Sequence, residues 1–291
     1  MKTIAFFSEK GGVGKSSFSI LYASWLKYQH GLKVALADFN DRISNYRDAE
    51  IAAREELIKK NPEIKPFDLE KAWPIVECDI QEIIELKKSS PIFPYADWLS
   101  KEIKHGRLKG YDVVLLDFPG NLNSGEFVQI NKMDMVGLTV IPTEKDQMTL
   151  DSTLLLSEYL KSKHYCCFIN KVQLSLDNFK RQYAALSRIL KENYSVKLLP
   201  DYVTLSDRMT TIDKVDIIRS TFGYPDFNGP AFKGSRDLGI ENLFIDVTRL
   251  LQKAKNIPGT DRTDLSFVNS MTKKNDGRQF AGSSFPEFEI V

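Results

Sequence analysis

Lys10-Gly11-Gly12-Val13-Gly14-Lys15-Ser16-Ser17 constrains this chain more than any other stretch. It follows a short apolar run, TIAFF at 3–7, and opens a segment of helical period in which Phe18, Leu21, Tyr22, Trp25 and Leu26 form one stripe. A short apolar run bounded by glycines reads as a buried strand, so the pattern is strand, glycine loop, helix. Glycines let backbone N–H groups approach an anion closely, and a helix N-terminus adds partial positive charge at the same place. Lys15 then has the position to reach the β- and γ-phosphates of a nucleotide. Ser16 has the position of a Mg²⁺ ligand, and Ser17 lies within reach of the α-phosphate. Gly11, Gly12, Val13 and Gly14 supply the cradle.

The rest of the chain repeats the strand–helix alternation. Strands are expected at 3–7, 33–38, 73–78, 111–117, 136–141, 165–169 and 195–199. Helices are expected at 15–29, 48–59, 79–88, 95–106, 147–163, 176–193 and 236–254, with Gly31 as a C-cap glycine after the first. Apolar strands alternating with helices imply βαβ units and a mostly parallel sheet with helices on both faces, an α/β three-layer sandwich. Residues 1–257 read as one domain. The stretch 42–110, with mixed charge and prolines at 62, 66, 74, 91 and 94, reads as a helical or irregular insertion, and 258–291 as a poorly ordered tail.

Two acids close apolar strands, Asp38 after KVALA and Asp117 after YDVVLL. Such an acid reads either as a turn former or, in chain order behind a phosphate loop, as part of a metal site. Lys+Arg totals 40 against 39 for Asp+Glu, so no bulk charge draws the chain to a polyanion, and any such contact must be a local patch. Cys78, Cys166 and Cys167 show no ligand spacing. Adjacent Cys166 and Cys167 would face opposite sides of a strand, so all three read as core. No apolar stretch reaches the length of a membrane span, and the thiol pattern fits a reducing cytoplasm.

KGGVGKS has Glu9 where the ordinary phosphate loop carries a glycine, and a lysine at position 10. In this it resembles the deviant Walker A loop of the ParA/MinD family, ATPases that include plasmid-partition, septum-positioning and nitrogenase iron proteins. The resemblance spans roughly 2–210 and the last helix, and thins out over 42–110. It implies the fold of a P-loop NTPase, ATP and Mg²⁺ as cofactors, and a homodimer formed on ATP binding in which Lys10 reaches the partner's nucleotide. The alternative for Lys10 is a solvated side chain. It further implies that Asp38 and Asp117 serve Mg²⁺ from the outer shell. Asn170 in Phe-Ile-Asn-Lys would contact adenine, its alternative being a turn residue, and Pro200-Asp201 would belong to a second base-binding loop.

The chain departs from that family at Asp38-Phe39-Asn40-Asp41-Arg42, where the family reads Asp-x-Asp. Asn40 stands where the second acid orients the attacking water. An amide can bond a water but cannot take its proton. Slow hydrolysis is therefore expected, unless Asp41 substitutes. By resemblance, the expected role is DNA segregation or transfer of a mobile element, with nonspecific DNA and a cargo-bound protein that stimulates hydrolysis as partners. Candidate DNA contacts are Lys180, Arg181, Arg188, Lys191, Arg208, Arg219, Arg236, Lys253 and Lys255, each of which also reads as an ordinary solvated residue. Two alternatives remain: a MinD-like positioning ATPase, disfavoured by an acidic, proline-containing C-terminus without a basic amphipathic helix, and a nucleotide-binding adaptor that hydrolyses little or not at all.

Overall fold

The computed structural model describes residues 1–89, 94–119, 134–144, 151–156, 165–170 and 240–272, with single positions or short pieces within 127–130, at 160, and within 183–188 and 197–199. Seven strands form one sheet: β1 (Lys2–Phe6), β2 (Val34–Asp38), β3 (Ile75–Glu77), β4 (Val113–Asp117), β5 (Leu138–Thr143), β6 (Tyr165–Ile169) and β7 (Lys197–Leu198). Every pairing is parallel and the order is β3-β2-β4-β1-β5-β6-β7. All seven expected strands are present: β6 has the expected bounds, β1 is shifted back by one residue and β5 forward by two, and the other four are shortened. β1, β2, β4 and β5 are buried along their whole length. That is why they read as continuous apolar runs rather than as alternation.

The helices are α1 (Lys15–Ser24), α2 (Arg42–Lys60), α3 (Ile80–Ser89), α4 (Pro94–Lys104) and α5 (Ile240–Lys253). One apolar cluster covers each sheet face. Phe6, Phe18, Tyr22, Trp25 and Phe244 lie on the face of α1 and α5, whereas Phe7, Phe39, Trp98, Phe118 and Phe127 lie on the other. The Tyr22 hydroxyl shares a 2.7 Å hydrogen bond with that of Thr248, tying α1 to α5. All three cysteines are buried, as expected of core residues.

Three expectations are corrected. The helix over 15–29 is not uniform: regular α geometry ends at Ser24 and a π-helical turn runs Trp25–Gln29. The wide turn accommodates Trp25, whose ring lies 5.9 Å from Tyr22 and 5.7 Å from Phe244. The helix expected over 48–59 starts six residues earlier, at Arg42, for a reason that lies in the site below. The chain also stays on the core beyond 257. Ile257 N–H donates to Met1 O at 3.1 Å, Thr263 Oγ1 donates to Asp112 O at 2.8 Å, and a 3₁₀ turn at Ser266–Ser270 buries Val268 beside Leu265. Helix 147–163 is seen at 151–156, with the Leu160 N–H on the Leu156 carbonyl at 3.2 Å, and helix 176–193 within 183–188; the other residues of both, and 273–291, lie outside the described residues.

The connection after β1 leads to β2 on one side of the sheet, and the chain after β4 goes on to β5 on the other. The carboxyl ends of the neighbouring strands β1 and β4 therefore border a topological switch point, the crevice where open α/β sheets bind ligands.

Candidate nucleotide-binding site

The loop between β1 and α1 takes the shape its glycines permit. Gly12 has φ +77° and Gly14 has φ +94°. A Cβ on Gly14 would also lie 3.1 Å from the Phe18 ring and 3.3 Å from Asn170 Nδ2, so backbone conformation and space both demand glycine there. Gly14 is the N-cap of α1 and its carbonyl accepts the Phe18 N–H at 2.9 Å. Val13 is fully buried as the anchor of the loop, whereas Gly11 and Gly12 are exposed at its crest and Ser17 is half-buried.

Lys15 is 7% exposed, and its ammonium donates to the Lys10 carbonyl at 2.8 Å, folding back along the loop. Burial lowers its pKa while Asp117 pulls the other way. The Ser16 hydroxyl donates to Asp117 Oδ2 at 2.9 Å. The other oxygen, Asp117 Oδ1, is buried without a hydrogen-bond partner among the described residues. Burial, followed by the charge of Asp38, pushes the Asp117 carboxyl up to about 7. A buried carboxylate oxygen without a donor is unfavourable unless a proton or a cation reaches it. Beside a Ser16 hydroxyl at the start of a helix, it has the chemistry of a Mg²⁺-nucleotide site, and the residues present fit such a group.

Asp38 and Asp117 stand directly opposite each other in the β2–β4 register, and the next residues, Phe39 and Phe118, stack with centroids 4.6 Å apart. Such a stack is worth roughly 0.5–1.5 kcal/mol beyond area burial and fixes the two strand ends relative to each other. Asp38 does not turn an empty oxygen to the loop. Its Oδ1 accepts the Asn40 N–H at 3.0 Å, and its Oδ2 accepts the Ile43 N–H at 3.0 Å, the Ser44 N–H at 2.9 Å and the Ser44 hydroxyl at 2.9 Å. It thereby performs for α2 the service of an N-cap side chain, which Asp41, the residue at the cap itself, does not. This explains the early start of α2: the cap lies four residues upstream of Arg42 and is invisible to local periodicity. Asp41 sits in the left-handed region at φ +53°, and burial together with Asp38 and Asp79 raises its pKa. Asn40 is half-buried in the same turn.

Asn170 follows β6, where its N–H donates to the Thr143 carbonyl at 2.7 Å, and its Nδ2 donates to the Val13 carbonyl at 2.9 Å. It is brought to the phosphate loop itself. Lys10 is half-buried and its ammonium pairs with Glu144 at 3.2 Å. Pro200 and Asp201 lie outside the described residues. The sequence reading missed Ser44, Glu144 and Arg42. Ser44 completes the hold on Asp38. Glu144 ends the apolar run of β5 just as Asp38 and Asp117 end theirs, a signal that was present. Arg42, the first residue of α2, is close enough for its charge to act on both Lys15 and Asp117.

Similar folds have been solved. The chain is 16% identical to the MinC:MinD cell division protein complex of Aquifex aeolicus, with TM-score 0.53 over 90% of this chain and 100% of that one. It is 18% identical to the MinD cell division protein of the same organism, with TM-score 0.51 over 89% and 99%. It is 16% identical to pNOB8 ParA bound to nonspecific DNA, with TM-score 0.51 over 87% and 99%. No curated protein matches the sequence. The family model described as "CobQ/CobB/MinD/ParA nucleotide binding domain" matches residues 4–276, nearly the whole chain, and the chain belongs to that family.

Proposed function

We propose that this protein is an ATP- and Mg²⁺-binding switch that forms a homodimer around nucleotide, hydrolyses it slowly, and uses the cycle to partition or position a cargo. The observation that carries this reading is the link from the phosphate loop to α2. Ser16 holds Asp117, Asp117 lies beside Asp38, and Asp38 holds the first turn of α2 through both of its oxygens. A change of charge at the Asp117 oxygen is therefore felt at the origin of a 19-residue helix that buries only Ile43. A local electrostatic event at the start of a lightly packed element is a common form of nucleotide switch.

In this reading Lys15 and the loop amides bind phosphate, and Ser16, with Asp117 behind it, holds Mg²⁺. The metal supplies charge neutralisation at the phosphate oxygens. Asn40, or Asp41 beside it, orients water, while Asp38 keeps that turn in place and stands near the metal's outer shell. Asn170 braces the loop from β6, within reach of a base. Lys10 leaves Glu144 to enter the partner's site. A partly exposed ion pair of this kind is worth at most about 1 kcal/mol, which a nucleotide can readily replace. Nonspecific DNA is the preferred surface for the dimer, the ligand with which the similar pNOB8 ParA was solved. Of the candidate contacts, Arg188, Lys253 and Lys255 are described and exposed. A cargo-bound protein that stimulates hydrolysis completes the cycle. No helix among the described residues is long and apolar enough to cross a membrane, and the proposed place of work is the cytoplasm.

Sedimentation with ADP and with ATP·Mg²⁺, with phosphate release followed with and without duplex DNA, tests the reading. A dimer with ATP alone, slow release and salt-sensitive DNA binding by that dimer are expected. ATP binding that leaves mass, DNA affinity and release unchanged would point to the adaptor instead. In the same experiment Lys10→Ala is expected to bind nucleotide within a few-fold of the parent and to remain monomeric with ATP. A normal ATP dimer would remove the trans role of Lys10.

The Asp117 carboxyl also sets a pH dependence. Mg²⁺ binding needs the carboxylate, so affinity is lost as pH falls through about 7. Mg²⁺-dependent nucleotide affinity is expected to be about tenfold weaker at pH 6 than at pH 8, with about 0.9 proton released per site on binding at pH 6 and about 0.1 at pH 8. Because the folded-state value lies above the unfolded one, the ligand-free protein is correspondingly more stable on the acid side of pH 7. A flat affinity profile by calorimetry between those two values would show that Asp117 does not face the metal.

A further inference from the structure

A second charged cavity lies at the opposite end of β1 from the phosphate loop. It measures about 600 Å³ and is lined by Lys2, Lys253, Lys255 and Arg262, together with Asn256 and Asp264 among others. Five residues of strand at about 3.3 Å each place it some 15 Å from the loop, outside the nucleotide site. Lys2, 4% exposed, is its deepest cation. Its ammonium donates to the Gln252 carbonyl at 3.3 Å and to the Ala254 carbonyl, so the end of α5 fixes it in place. Lys253 and Lys255 stand exposed on the rim.

Among the described residues that line it, four cations share this cavity with a single acid, Asp264, whose carboxylate already accepts the Ser266 N–H at 2.8 Å and the Ser266 hydroxyl at 3.1 Å. Among the described residues none of the four cations has a carboxylate partner within 4.0 Å, although such pairs occur elsewhere in the chain. The pKa of Lys2 is lowered, first by burial and then by repulsion from Arg262, so the cations of the cavity act on one another, with Asp264 close enough to feel the charge of Arg262. Asn256 Oδ1 is buried there with no donor. Convergent unpaired cations around a recess make an anion site, and a buried acceptor beside them suits a ligand that carries a hydroxyl.

We infer that this cavity binds a compact phosphorylated small molecule, its phosphate among Lys2, Lys255 and Arg262 and a protonated phosphate oxygen or hydroxyl on Asn256. Recess distinguishes this ligand from a duplex. A nucleic-acid backbone lying across the rim meets Lys253 and Lys255, whereas a terminal phosphate can enter as far as Lys2. The inference does not depend on the switch reading.

Pyrophosphate is the probe, titrated by calorimetry at low salt into the full chain carrying Lys15→Ala, so that the phosphate loop does not compete. One saturable site per chain is expected. Adding Lys255→Ala and Arg262→Ala is expected to weaken it at least about tenfold, the two charge-assisted contacts being lost together. Lys255→Ala/Arg262→Ala with Lys15 intact should bind ATP as the parent does, which shows that the fold is kept. Should that pair fail to fold, Lys253→Ala/Lys255→Ala on the exposed rim reads the same weakening. No saturable binding in Lys15→Ala, or binding indifferent to the rim changes, overturns the inference. So does a loss of duplex-DNA binding on those changes in a protein that never took up pyrophosphate, which would make the cavity part of a nucleic-acid face.

Discussion

Lys15→Ala is expected to weaken ATP binding by more than about a hundredfold, close to 3 kcal/mol, while leaving the chain folded. The side chain lies buried along the loop with its ammonium on the Lys10 carbonyl, so it is already positioned before any phosphate arrives and loses little rotamer freedom on binding. Its charge acts twice. It attracts phosphate directly, and it opposes the upward shift of the Asp117 carboxyl. Removing it therefore moves the Asp117 pKa further up and withdraws part of the carboxylate that a metal needs at neutral pH. The fold should survive because α1 is held by Phe18, Tyr22 and Trp25 in the core rather than by Lys15. Titration with a fluorescent ATP analogue in Mg²⁺, beside a thermal melt, reads both quantities. Affinity within about threefold of the parent would mean that the loop does not carry the phosphates.

Much of this site was legible because its parts are local. A glycine loop between strand and helix declares itself within eight residues, and Asp38 and Asp117 announce themselves by ending apolar runs. The four strands buried along their whole length, β1, β2, β4 and β5, are readable for the same reason: a strand covered on both faces is largely apolar, and charge or glycine marks its ends. What was not legible depends on partners distant in sequence. Residues 42–47 carry little apolar periodicity, and α2 begins there only because Asp38 caps it from outside. The shortness of β3, expected over 73–78 and found at Ile75–Glu77, follows from Trp73 being drawn into the core, where its Nε1 donates to Ser24 Oγ at 3.0 Å. The polar stretch after 257 looked like a loose tail. It is held by the Ile257 N–H on the Met1 carbonyl, by the Thr263 hydroxyl on the Asp112 carbonyl and by Leu265 and Val268, too few apolar side chains to form a pattern. The basic cavity could not be foreseen at all, since Lys2 and Arg262 are brought together from the two ends of the domain.

Asn40→Asp is expected to raise the rate of ATP hydrolysis by about two to four decades, close to 3–5 kcal/mol of barrier. The turn is already built for the residue. Asp38 Oδ1 holds the Asn40 N–H at 3.0 Å, and Asp38 Oδ2 fixes the helix start immediately beyond, so the side chain at 40 changes chemistry without a change of backbone. An amide there can orient a water, but a carboxylate can also accept its proton. Against this gain stands charge: a further acid would join Asp38, Asp41, Glu77 and Asp79, a cluster whose burial and mutual charge already raise the pKa values of Asp41 and Glu77. The new carboxyl would titrate high, and the acceleration should therefore be larger at pH 8 than at pH 6. Single-turnover phosphate release at saturating ATP·Mg²⁺ measures it, with Asp41→Asn as the companion. If Asn40→Asp changes the rate less than about threefold and Asp41→Asn abolishes what hydrolysis there is, then Asp41, set at φ +53° in the left-handed region, is the group that handles water. The slow clock would then belong to a rearranged turn rather than to a missing acid.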